Sequence, residues 1–476
     1  MADRRGIARV SVRAAGGVVG LGVAALAIAG ATFLPLPAFS IGAPATTVTP
    51  VPADQQRVCP GPVLALAAGA GAATTASSVG QPTIAYGTDG PAVSTRNLKP
   101  DSDASAPSQA PQTLTVSTPA GSTEPPLIAG AQTQEADTAD LAGLAAAGCS
   151  EAGADSWLVA GSTALGQTSL VLLSNPTSVQ ATVTLTVFAE TGAIDAPGAA
   201  GIVVPPGAQK VVPLSGLAPS VSAPIVHVQA TGGQVLASLQ QSYEQGIDPR
   251  GVELTGATGA PSRVQVISGM TIASLATIQA AQSGESYGVD LPAVRVFVPG
   301  RQDAQVTVGA VGENGTAAGN SYAQTIKAGT VGEVPLQHLA DGNYTVTVRS
   351  SVPVVAAART SVAGAKAHDF SWFVSSAPLS ARFLAAIPAG PAPLMHFANP
   401  GQKNQKVTVK GKSGSPAVLT IPAEGAANAH LAPGEYTITG ADGLYVSVSF
   451  SADGRASSFA LNPSGPLAAP IDVYAR

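Results

Sequence analysis

Any chemistry in this chain must come from few side chains. Among 476 residues there are five histidines, two cysteines and three methionines, too little for a metal cluster or a thiol centre. No His-Glu-x-x-His or Cys-x-x-Cys pattern occurs, so zinc helix and redox pair are both missing from the sequence. His338 and His430 fall in matching stretches, Pro335-Leu336-Gln337-His338-Leu339 and Ala429-His430-Leu431, but the related Pro213-Leu214-Ser215-Gly216-Leu217 has Gly216 there. A shared catalytic or ligating role would need a side chain at that position too, so both are expected to be turn residues beside a tyrosine. His227, His368 and His396 stand alone in strand-like sequence and read as structural or exposed. Gly411-Lys412-Ser413 imitates the end of a phosphate loop, but Lys406 stands where the first glycine is needed and the setting is a hairpin. The expectation is no catalytic residue, no metal and no cofactor.

One charged cluster stands out. Lys403, Lys406, Lys410 and Lys412 fall within one short stretch. In Lys406-Val407-Thr408-Val409-Lys410 the alternation turns lysines to one strand face and valines to the other. Lys406, Lys410 and Lys412 would form an outward cationic strip, suited to phosphate-bearing polymers or anionic headgroups. The alternative is an edge strand that lysines guard against pairing with other sheets. The two cysteines, Cys59 and Cys149, bracket a stretch rich in Ala, Gly, Pro, Ser and Thr. In an oxidising compartment they pair as one disulfide, whose loop of ~90 residues would restrain the unfolded chain by ~4–5 kcal/mol in the entropic account.

These side chains need elements to hold them, and the N-terminus sets where those elements lie. Arg4, Arg5, Arg9 and Arg13 precede an uncharged run from Gly16 to Leu36. About 21 helical residues at ~1.5 Å each span ~31 Å, one bilayer core. Residues 1–15 are expected to be a cytoplasmic basic tail. Residues 16–38 would be a transmembrane signal anchor or, since Ala38-Phe39-Ser40 is a small-x-small site, a cleaved signal peptide. A linker, 39–56, follows. The expected partners are the cytoplasmic membrane through this helix and a cell-wall polymer or another envelope protein outside it. The net charge of −5 argues against nucleic acid.

Residues 57–153 read as a weakly ordered, disulfide-bracketed region, with a short helical pattern at Leu141 to Ala147. After Ala154 the period-2 alternation becomes dense, as in Ala181 to Val187 and Gln305 to Val308, and Asp-Gly and Asn-Gly pairs supply hairpin turns. Asp155-Ser156-Trp157-Leu158-Val159 and Phe370-Ser371-Trp372-Phe373-Val374 look like copies of one strand, and Asn175-Pro176 and Asn399-Pro400 like copies of one turn. Leu339 to Val346 and Leu431 to Ile438 resemble tyrosine corners around Tyr344 and Tyr436. The expected fold is all-β: tandem immunoglobulin-like sandwiches at 154–257, 262–365 and 367–463, then a tail, 464–476, with Trp157 and Trp372 in equivalent cores.

The anchor, Val58-Cys59-Pro60-Gly61-Pro62, the segment from Ala129 to Cys149, Ser156-Trp157-Leu158-Val159 and Leu173-Ser174-Asn175-Pro176 together resemble an uncharacterised actinobacterial family of membrane-anchored extracellular β-repeat proteins that carries only a domain-of-unknown-function label. The likeness runs from about residue 57 to 463. It implies a cell-envelope role and transfers no catalytic residue.

Overall fold

The computed structural model describes residues 53–66, 76–101, 110–122, 124–281, 288–315, 319–365 and 367–462, together with the backbone of strands Ala45–Val48 and Ile471–Tyr474. Those two strands pair antiparallel in a unit of their own. The expected membrane segment at 16–38 lies outside the described residues. Among the described residues no helix is long and apolar enough to cross a membrane, and these residues are predominantly strand, with one α-helix described among them, Leu275–Ala281.

Three stretches of the main body share one strand order. In the first, Asp155–Leu158, Ile225–Gly232, Ala181–Ala189 and the short pieces Gly192–Ala193 and Ile202–Val204 form one sheet, while Ala208–Pro213, Gln167–Asn175, Leu236–Gln245 and Asp248–Gly256 form the other. Numbered along the chain, the sheets run 1-6-3-4 and 5-2-7-8. Val183, Leu185 and Val187 from one sheet meet Val171, Leu173 and Leu239 from the other in a single apolar cluster, which makes the pair a sandwich. The third stretch repeats this order: Arg382–Ile387, Gly434–Thr439, Gln405–Gly411 and Ala417–Ile421 face Gly425–His430, Leu394–Asn399, Tyr445–Ala452 and Arg455–Ala460.

In the middle stretch the sixth and seventh strands are one. Gly342–Ala363 pairs in its first half with Ser262–Ile272 and Ala304–Gly312, the latter also carrying Asn320–Ile326; its second half pairs with Ala293–Phe297 and His368–Val374, with Val331–Pro335 beyond. Pro353 sits in the corner between the two halves, where no ladder hydrogen bond is required of it.

This order departs from the immunoglobulin one. The pairings of strands 2 with 5 and 3 with 6 are common to both, but here the first and seventh strands have exchanged sheets and the fourth lies beside the third. The boundary between the second and third sandwiches also moves. Strand His368–Val374 pairs with Gly342–Ala363 and closes the middle sandwich, so the third opens at Arg382. Trp372 is therefore on an eighth strand and Trp157 on a first strand, and the two are not equivalents.

Other repeat signals are matched residue for residue. Asn175 and Asn399 both end a second strand; each amide donates to the carbonyl four residues on (2.8 Å in both) and accepts from the amide N–H two residues on. The Tyr344 and Tyr436 hydroxyls donate to the carbonyls of Ala340 and Ala432, at 2.9 and 2.8 Å. The first sandwich closes the same corner with the Thr163 hydroxyl, which donates to Ala218 O and accepts from Val221 N–H.

The described parts of 57–153 are not weakly ordered. Gln55–Cys59, Gln112–Val116 and Ser94–Asn97 form one sheet, Thr83–Thr88, Ile128–Asp137 and Ala142–Gly148 another. The pattern at 141–147 is a strand, not a helix. Its Ala and Gly residues are small enough to be covered on both faces: Leu141, Ala145 and Ala147 join Leu170, Leu172 and Val252 of the first sandwich, while Leu144 and Ala146 join Phe383 and Phe459 of the third.

Candidate functional site

The eighth strands of the three sandwiches, Asp248–Gly256, His368–Val374 and Arg455–Ala460, converge with Ala142–Gly148 on one junction. Two carboxyl groups are buried in it. Glu253 Oε1 accepts the Ser457 hydroxyl at 2.6 Å and the Leu254 N–H at 3.0 Å. Asp369 Oδ2 accepts the Leu144 and Ala456 N–H groups at 2.8 and 3.3 Å, and its Oδ1 accepts Phe370 N–H at 3.0 Å. Burial pushes both carboxyls well above the usual carboxylate range, against the pull of these donors. Glycine is required here: a Cβ on Gly251 would stand 2.6 Å from Asp369 Oδ1, and one on Gly143 2.8 Å from it.

The first and middle sandwiches are joined by Arg295. Its Nη1 donates to Gly161 O and Pro224 O across the interface, at 2.7 and 3.0 Å, and its guanidinium lies 4.6 Å from the Trp372 ring centroid. Glu333 accepts from both Arg295 and Arg359 at 3.0 Å. Burial alone would raise the Glu333 carboxyl, but the two guanidinium groups outweigh it and hold it at about 2. The Trp372 indole donates to Gln241 Oε1 at 2.8 Å, while Trp157 stacks on His227 at 3.9 Å and lies beside Phe297 of the middle sandwich. Both tryptophans are buried, in one interface and not in two sandwich cores.

The middle and third sandwiches are joined by a chain of three side chains. His396 Nδ1 lies 2.6 Å from Glu313 Oε2, and His396 Nε2 lies 2.7 Å from the Ser449 hydroxyl. Burial would raise the Glu313 carboxyl; His396, with hydrogen bonds from Asn428 and Thr345, more than reverses this and lowers it. Acid, imidazole and hydroxyl in this order are the parts of a serine nucleophile. All three are buried, however, and the imidazole packs against the Gly269 backbone, where an added Cβ would stand 2.5 Å from the ring. The group works as a lock between sandwiches. The three residues come from separate strands and turns, so no local pattern announced them.

Of the residues singled out from sequence, Cys59 and Cys149 form a disulfide, with Cα atoms 4.2 Å apart, buried beside Leu114 and Val116. Val407 and Val409 point into the third core, and Lys406 and Lys410 are exposed. Their strand is flanked by Gly434–Thr439 and Ala417–Ile421, so it is not an edge and has no pairing for lysines to guard against. Lys412 falls in the turn and pairs with Glu435 at 2.8 Å. His338 and His430 are exposed rather than packed, His338 in a left-handed turn with φ 63°.

Two openings flank the junction. One, of about 430 Å³, is lined largely by apolar groups including Trp372, Leu379 and Phe459. The other, of about 840 Å³, is polar and opens where the turns after the seventh strands of all three sandwiches meet; Ala365 N–H reaches Asp453 of the neighbouring turn at 3.2 Å. Among the described residues no group of three or more His, Cys, Asp or Glu side chains is placed to hold a metal ion.

Fold and site together define an all-β protein of three interlocked sandwiches whose buried ionisable groups serve the joints. The chain belongs to a family of unknown function (DUF5719), whose profile matches residues 101–431. No curated protein matches it. Among solved structures, a crystal structure of Thermotoga maritima 1070 is similar at 16% identity over 25% of this chain and 93% of that one, with a TM-score of 0.19. The Anabaena sensory rhodopsin transducer is similar at 18% identity over 21% and 95%, with a TM-score of 0.16.

Proposed function

We propose that this chain is a non-enzymatic extracytoplasmic protein of the cell envelope, tethered to the membrane through 16–38 or released by cleavage there, whose sandwiches are copies of one module fused into a rigid interaction scaffold. The observation that carries this reading is the use of buried ionisable groups at the joints. Arg295, the Glu313–His396–Ser449 chain and the Glu253 and Asp369 carboxyls each bind one sandwich to another. Linked modules that must flex are joined by exposed linkers, whereas buried polar joints specify one arrangement. The Cys59–Cys149 bridge suits an oxidising compartment.

The test uses the ectodomain, residues 53–462, on an envelope fraction. It should be recovered with an envelope partner and should unfold in one cooperative transition. Turnover of an envelope glycan or peptide by the purified ectodomain would sink the non-enzymatic reading.

A second reading is favoured by one observation. Lys406 and Lys410 stand exposed on a central strand, so they are free to meet an anionic envelope polymer. Replacing both with Glu should weaken envelope association and flatten its salt dependence; unchanged association would exclude it.

A further inference from the structure

The large cleft at the junction has a lining unlike the rest of the molecule. Tyr243, Asp248 and Arg250 come from the closing hairpin of the first sandwich, Asp290 and His368 from the middle one, and Arg455 from the third. Among the described residues Asp248, Asp290 and Arg250 have no ion-pair partner, so these charges are not spent on one another. Donors and acceptors are close to balanced, and burial lowers the His368 imidazole toward its neutral form. A smaller opening, of about 210 Å³, lies between the first and middle sandwiches and shares Tyr243, Val289 and Asp290 with the cleft. Tyr243 and Asp290 form the waist of one groove, which also passes Gln241 and Trp372.

We infer that this groove binds a neutral oligosaccharide, with Tyr243 and Asp290 at its waist. Carboxylates accept and guanidinium groups donate, which is what the paired hydroxyls of a sugar ring require. Tyr243 offers a ring face with a phenolic O–H. An apolar ligand would leave the carboxylates and guanidinium groups unpaired, and a polyanion would meet Asp248 and Asp290 directly. The volumes of the groove's two parts, about 840 and 210 Å³, leave room for several sugars and not just one. This goes beyond the scaffold reading by giving the scaffold a ligand and a place for it.

The test titrates the intact ectodomain with a panel of neutral pentose and hexose oligosaccharides, four to six sugars long, by calorimetry and on an array. Binding is expected to at least one member, to fall about tenfold or more in Tyr243→Ala and Asp290→Asn, and to persist in Lys406→Glu with Lys410→Glu. Thermal unfolding of each variant distinguishes lost contacts from lost folding. No binding across the panel would overturn the inference, as would binding indifferent to both waist variants. Capture of a protein partner that depends on Tyr243 and Asp290, with no sugar bound, would assign the groove to a polypeptide and also overturn it. A sugar that is bound and cleaved would keep the groove and refute the non-enzymatic reading, so the two failures are separable.

Discussion

Trp157 and Trp372 lie in one apolar cluster between the first and middle sandwiches, Trp157 reaching it from a first strand and Trp372 from an eighth. The Trp157 ring stacks on His227, whereas the Trp372 indole donates to Gln241 and lies against the Arg295 guanidinium. Chains with immunoglobulin-type domains place such a residue in a domain core. Here the same residue type welds two domains.

Truncating Trp372 to Ala is expected to destabilise the protein by ~3–5 kcal/mol, through the cavity it leaves and the loss of the ring beneath Arg295. Trp372→Phe should recover part of this, since the ring face returns but the donor to Gln241 does not. Chemical denaturation of both variants would check the order; two variants of wild-type stability would show that the interface is not a weld.

The buried carboxyls make opposite demands on pH. Glu333, held at about 2, stabilises the fold above the ordinary Glu value of ~4.3, and that contribution is lost as pH falls toward the folded value. Glu253 is raised instead, so its contribution is present below ~4.3 and is lost as pH rises through its folded value. Raising the pH from about 4 should therefore cost stability in the wild type, and Glu253→Gln should flatten that slope. Thermal unfolding across a buffer series measures it, and an unaltered slope in Glu253→Gln would count against the assignment.

His396→Ala should cost ~3–5 kcal/mol because it strands Glu313 as a buried charge, whereas Ser449→Ala should cost only ~1 kcal/mol. A fluorophosphonate probe should leave native Ser449 unlabelled. Stoichiometric labelling would turn the lock into a nucleophile.

Native, unreduced protein should show no thiol reactive to alkylation. Reduction should lower stability by up to ~4–5 kcal/mol, the scale set by the entropy of a ~90-residue loop, as read by denaturant unfolding with and without reductant. Equal stability in both states would mean that packing around Leu114 and Val116 holds this region without the bridge.

Features that depend on a few neighbouring residues were legible in the sequence. Alternation at 181–187 and 406–410, the tyrosine corners, the asparagine turns and the location of the third-strand lysines all arise within one strand or hairpin, where side-chain period and turn geometry act directly. Legibility stopped at the outer faces of the sheets. Strands Ala142–Gly148 and His368–Val374 are buried on both sides, and such a strand shows no alternation, so one read as a helix and the other as the start of a new repeat.

What the sequence by itself determined is the alternating one-face-buried strands after Ala154 and their turns, because each follows from local sterics and from the need to bury one face. Tertiary structure alone decided which sheet receives the first and seventh strands, how sixth and seventh fuse in Gly342–Ala363, and where Glu253, Asp369, Glu313 and His396 find partners. Those outcomes depend on which surface covers another across separations such as the 204 residues between Ser457 and Glu253. A buried charge is stable only where distant donors arrive to meet it, and their arrival is a property of the assembled sandwiches.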